Sequence, residues 1–211
     1  LKPIVIIGGG GHASVLVDML RAQSREIVAI VSPVCLSKRT VFTGIPHLFN
    51  DNDVFTFSPQ KVLLVNGIGV LPGSGLKRKL NQYYLSHGYQ FETVVAETAE
   101  VSPYANVLTG AQIFPGAIVQ AGVQIGSHSI VNTGVIIEHD CDIGEYNHIA
   151  PRATLCGQVK SAEDVFVGSG AVVIQGIVLE RDVVVGAGST VTKSLAACHY
   201  CFPSRTAYKT K

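Results

Sequence analysis

Runs of basic residues are missing from this sequence, and charge of either sign is scarce. Sixteen Lys and Arg are balanced by 15 Asp and Glu in 211 residues, for a formal net charge of +1. Nucleic-acid binding needs a basic footprint, so that class of partner is excluded. A long uninterrupted apolar run is missing too. The opening IVIIGGGGHASVLVDML is broken by four glycines and carries no basic leader or cleavage site, so neither a signal peptide nor a membrane span is expected. The five cysteines are an odd number without framework spacing, which fits reduced thiols and a cytoplasmic protein. CHYC, Cys198 to Cys201, has metal-type spacing but no second pair or His/Cys cluster to complete a tetrahedral site, and no metal is expected.

What the sequence has in abundance is a period of six. Every sixth residue from Val101 to Val191 is aliphatic except Ser161. A second series, four residues behind the first and running from Ala105 to Ser189, contains nothing charged and no large aromatic. Helices need apolar spacing near 3.6 and ordinary strands need two, so neither element explains the pattern. A parallel β-helix does: each rung buries one aliphatic and one small side chain, and three rungs close a turn, giving about five turns. The break at Ser161 predicts a local irregularity.

The opening third reads differently. Ile4–Ile7 is a buried strand that ends in Gly8 to Gly11, followed by a helix through Arg21 with Leu16, Met19 and Leu20 on one side. Further strands are expected at Ile27–Val31 and Val62–Val65. Ser74–His87 reads as a capped amphipathic helix with Leu76, Leu80, Tyr83 and Tyr84 on its apolar face. Alternating strands and helices imply a small Rossmann-like parallel sheet. The expected domains are 1–92, the β-helix over 93–195, and a tail over 196–211.

Gly8, Gly10 and Ala13 have the GxGxxA spacing of a phosphate-binding turn, where bare backbone and a helix N-terminus meet an anion. The acid that would hold an adenosine ribose is missing from the second strand, which ends at Ser32 and Pro33, so an oxidoreductase loses support. A tight turn without a ligand remains the alternative at this point.

Two histidines interrupt the aliphatic frame. His139 and Asp140 fall between core positions 137 and 141 and should project from a corner of the coil, and His148, just before core Ile149, should point outward. Glu138 and Asp140 flank His139, and a carboxylate beside an imidazole can fix its tautomer for general-base work. His47, His87, His128 and His199 read as ordinary solvated side chains. Cys141 lies in the small buried series, and Cys156 has no sequence-adjacent histidine to activate it, so covalent catalysis through a thiol is not expected.

The six-residue frame, GGGGHA, VNTGVIIEHDCDIGEYNHIAPRATLCGQV and VVVGAGSTVTKS together resemble the hexapeptide-repeat acyltransferases of the PglD and NeuD type, which acetylate nucleotide sugars or sialic acid. The resemblance implies a left-handed β-helix, a homotrimer with active sites between subunits, and acetyl-CoA as co-substrate. It implies His139 as general base, Asp140 as its orienting group, His148 positioning cofactor or substrate, and the Gly157 N–H stabilising the oxyanion. Ser169 and Ala187 would touch the cofactor; Gly10, Gly11 and His12 would receive the nucleotide diphosphate, with Ser32, Asn66 and Gly67 shaping the substrate pocket. The expected acceptor is a UDP-linked 4-amino-4,6-dideoxy sugar of the bacillosamine type. Sialic acid O-acetylation and a non-catalytic trimeric scaffold are the alternatives. SPV after the second strand and CFPSRTAYKT at the end depart from the family pattern.

Overall fold

The computed structural model describes residues 1–36 and 39–203. The chain divides into two compact units, the first being Leu1–Glu97. That unit runs past residue 92, where Gln23 Nε2 donates to the Val95 carbonyl at 2.6 Å.

In the first unit, β1 (Ile4–Ile7), β2 (Ile27–Val31), β3 (His47–Leu48) and β4 (Leu63–Asn66) form a parallel sheet in the order β3-β2-β1-β4. Helix α1 (Gly11–Ala22) follows β1 and buries Ala13, Leu16, Val17, Met19 and Leu20. Val5, Ile7, Ala29, Val31 and Leu64 face Tyr84, Tyr89 and Phe91, while the alternate residues Ile4, Ile6 and Ile30 are fully buried on the opposite face. Each such aliphatic side chain contributes roughly 1.5–3 kcal/mol by leaving water. The strand order reverses direction between β1 and β4, and such a switch point opens a crevice at the C-terminal strand ends.

Helix α2 (Leu76–Ser86) packs Leu80, Tyr83 and Tyr84 against the core as expected, and buries two polar residues besides. Lys77, Asn81 and Tyr84 are buried, while Leu76 is 49% exposed and the N-cap is Gly75, with no side-chain cap from Ser74. Asn66 supplies the reason. Its Nδ2 donates to Asn81 Oδ1 at 2.6 Å, and Lys77 Nζ donates to the Asn66 carbonyl at 3.4 Å, so a polar cluster draws the helix inward by that side.

The second unit is a left-handed parallel β-helix of two-residue strands. Five strands stack on one face, from Asn106–Val107 to Val178–Leu179, and six on another, from Glu100–Val101 to Thr190–Val191. The third face includes Gln112–Ile113, Ile130–Val131, His148–Ile149 and Phe166–Val167 and ends at Tyr200–Cys201. The coil thus continues beyond residue 195, since Gly186 N donates to Cys201 O at 2.7 Å; the remainder of the expected tail, 204–211, lies outside the described residues. Every sixth residue from Gly110 to Gly188 turns a corner with φ between +56° and +77°.

Ser161 causes no irregularity. It keeps register with Ile143 and Leu179, and its hydroxyl accepts from Asn147 Nδ2 at 2.6 Å inside the coil. Asn147 Oδ1 accepts in turn from Val165 N, also at 2.6 Å. A paired amide and hydroxyl here fill the space of an aliphatic side chain with their polar atoms satisfied.

Candidate active site

The six-residue frame puts Asp140 at a corner, with φ +59°, and His139 just before it. His139 Nδ1 and Asp140 Oδ2 lie 2.8 Å apart, and the two side chains are 61% and 60% exposed. A carboxylate can only accept, so Nδ1 carries the hydrogen and the neutral ring presents Nε2 as a base. One coil later comes Gly157. A Cβ there would lie 2.7 Å from both His139 Cε1 and Nε2, so only glycine leaves the ring its place. Among the described residues the Gly157 N–H is taken up by no backbone carbonyl, while its carbonyl accepts from Gly176 N at 3.0 Å. A basic nitrogen and an open N–H donor therefore meet on one corner.

Cys141 and Cys156 add no nucleophile to this corner. Burial pushes the Cys141 thiol up to about 11, and its Sγ lies 3.2 Å from the Cys156 carbonyl oxygen. Among the described residues, no three His, Cys, Asp or Glu side chains gather to hold a metal ion.

His148 does not join His139 within the chain. It occupies a strand beyond the next corner, Tyr146, and although its register is outward it is only 8% exposed. Asn132 Nδ2 lies 3.1 Å from its Nε2, and Phe166 packs edge-on with ring centroids 5.1 Å apart. His128 is also buried rather than solvated, its ring 4.9 Å from that of Tyr146, the corner residue one coil later. Sequence period gives the direction of an outward side chain but not what the neighbouring rungs lay across it. Ser169 and Ala187 share a different corner from His139, one coil apart, linked by Gly188 N donating to Ser169 O at 2.9 Å.

The first unit offers a separate cavity of about 520 Å³, lined by Gly9, Gly10, Ser32, Val34, Cys35 and Arg39. Gly10 is the N-cap of α1, with no side-chain cap and no acid in the first turn, so the positive end of the helix carries no compensating carboxylate of its own. Arg39 Nη2 comes within 4.0 Å of a Cβ built on Gly11, and its Nη1 donates to Ser14 Oγ at 3.2 Å. This cation was invisible to motif reading, because it comes from the segment after β2 and meets the glycine turn only in the fold. The neighbouring residues 37 and 38 of the 32–40 segment lie outside the described residues. His12 stands half-buried in the first turn of α1.

Two of the expected pocket residues also have packing roles. Asn66 is 2% exposed, with its amide engaged by Asn81 and Ile68 N. A Cβ at Gly67 would fall 2.6 Å from Ala13 Cβ, so this glycine permits the close approach of β4 to α1.

Comparison with known proteins places this geometry. Residues 3–72 match the PglD N-terminal domain, and residues 163–193 match the hexapeptide repeat of succinyl-transferase. A histidine variant of perosamine N-acetyltransferase from Caulobacter crescentus, solved in complex with CoA and GDP-perosamine, is 31% identical. It superposes with a TM-score of 0.87 over 100% of this chain and 98% of its own. The acetyltransferase domain of PglB from Neisseria gonorrhoeae FA1090, in complex with acetyl coenzyme A, shares the fold at 23% identity, with a TM-score of 0.86 over 98% and 99% of the two chains. GDP-perosamine N-acetyltransferase from Escherichia coli O157:H7 is 29% identical over 102 residues, 48% of this chain; the match spans about half of that relative, 46% of its length.

Proposed function

We infer the reaction from family and corner together: the chain belongs to the hexapeptide-repeat sugar acyltransferases with a PglD-type N-terminal domain, and its His139–Asp140 corner has the parts of a general base. The protein transfers an acetyl group from acetyl-CoA to the amine of a nucleotide-linked 4-amino sugar. Asp140 holds Nδ1–H, and Nε2 accepts the amine proton as the nitrogen attacks the thioester carbonyl. The oxyanion draws on the Gly157 N–H. On collapse the carbon–sulfur bond breaks, and the imidazolium returns its proton to the departing thiolate. No covalent enzyme intermediate is required.

The diphosphate is received at Gly10, Gly11 and His12, with Arg39 supplying the cation that the motif lacked. The single observation that carries this reading is the 2.8 Å His139–Asp140 contact at a corner left bare by Gly157. For the acceptor, the full-length relative bound to GDP-perosamine favours a GDP-linked amino sugar. The UDP-linked 4-amino-4,6-dideoxy sugar is the second reading, supported by the match to the PglD N-terminal domain.

A homotrimer fits the surface of the coil. On one face the outward residues Ile118, Ile136 and Val172 are apolar, with Thr154 among them and Glu100 and Thr190 at the two ends, whereas another face carries Asn106, Gln124, Asp142 and Lys160 and ends in Val178. An apolar face that packs on a neighbouring subunit would also explain why His148, Ser169 and Ala187 lie off the His139 corner: the site is shared between chains. The test is incubation with acetyl-CoA and GDP- or UDP-linked 4-amino sugars, reading thiol release and product mass. Gain of one acetyl group on an amino sugar supports the reading; acetylation of sialic acid alone, or of no acceptor, removes it.

A further inference from the structure

The carboxylate that orients His139 rests on bare backbone one coil earlier. Asp140 N donates to Ala121 O at 3.1 Å, which seats the Asp140 turn over the corner at Gly122. While Asp140 Oδ2 reaches His139 Nδ1, Oδ1 occupies the space that a Cβ on Gly122 would need, and that Cβ would also lie 3.4 Å from Asp140 Cγ. A side chain at this position would force the carboxylate off the rotamer that meets Nδ1.

Resting on the general-base reading above, we propose that Gly122 is a positioning residue for the reaction, its missing side chain allowing Asp140 to hold His139 in the Nδ1–H tautomer. Backbone angle alone does not demand glycine here. Asp140, Arg152 and Asp164 adopt the same corner conformation with φ of +58° to +59°. Gly116 supplies the contrast: at φ +69° its added Cβ would meet nothing nearer than 4.0 Å. At Gly122, with φ +77°, the three nearest atoms all belong to Asp140.

Gly122→Ala and Gly116→Ala carry a similar backbone penalty, so comparing them isolates the contact. Gly122→Ala is expected to lower kcat roughly ten- to a hundredfold, a fraction of what a general base supplies, while Gly116→Ala stays near wild type. In an Asp140→Ala background, Gly122→Ala should add no more than Gly116→Ala does, because its target is gone. Ring ¹⁵N shifts give an arm that needs no acceptor and so separates failure of this proposal from failure of the reaction assignment. Wild-type His139 should report Nδ1–H, and Gly122→Ala a mixture of tautomers. Should the alanine variant misfold, Gly122→Asn gives the same comparison, since asparagine tolerates this backbone region. Equal losses in the two glycine variants, an undiminished effect without the Asp140 carboxylate, or an unchanged tautomer overturns the proposal.

Discussion

His139 Nδ1 and Asp140 Oδ2 meet at 2.8 Å although the two residues are neighbours in sequence. Adjacent side chains on a strand point to opposite faces; the corner angle of Asp140, φ +59°, is what folds its carboxylate back onto the ring. Asp140→Asn retains the shape and tolerates the corner, but its amide can donate to Nδ1 and favour the wrong tautomer. Steady-state kinetics should show kcat lowered roughly ten- to a hundredfold, with KM for acetyl-CoA little changed.

Arg39 tests the nucleotide end. Removing one charge-assisted hydrogen bond costs about 1.5–3 kcal/mol, so Arg39→Ala should weaken GDP or UDP binding roughly ten- to a hundredfold in calorimetry and leave acetyl-CoA binding intact. Unchanged nucleotide affinity would detach this cavity from the diphosphate.

Lys77 predicts a pH dependence of stability. Burial lowers its ammonium from 10.5 to about 7. Between those values the unfolded chain holds a proton that the folded protein has released, so stability rises with pH across the window, and the burial penalty is full below it. The difference between Lys77→Met and wild type in urea melts should therefore shrink from about pH 7 to about pH 10; a constant difference contradicts the assignment.

Inside the coil, Asn147→Ala strands the Ser161 hydroxyl and the Val165 N–H, both bonded to Asn147 at 2.6 Å. Unsatisfied buried groups cost about 1–3 kcal/mol each, so for these two thermal or urea unfolding should register a loss of about 2–6 kcal/mol. Asn147→Ala combined with Ser161→Val should recover part of it.

Legibility followed the range of the forces involved. The aliphatic residues recurring every six could be read directly because each rung repeats the same local burial, and the same frame excluded His139 and Asp140 from the core. Ser161 looked like a defect because its partner, Asn147, belongs to the other series and is met across the interior. The burial of Lys77 and Asn81 beside the apolar face of α2 has no sequence signal, because the polarity of a helix position does not reveal a buried partner such as Asn66. Arg39 and Gly122 carry no signal in isolation: one is defined by the fold of the segment after β2, the other by a carboxylate 18 residues later in sequence.

The most direct test of the account is the rate of acetyl transfer by His139→Ala beside wild type, with oligomeric state measured on the same samples. A fall of about two to four orders of magnitude in an intact assembly is the result expected for loss of a general base. Turnover within tenfold of wild type, or loss of the assembly itself, would contradict it and make His139 a structural residue.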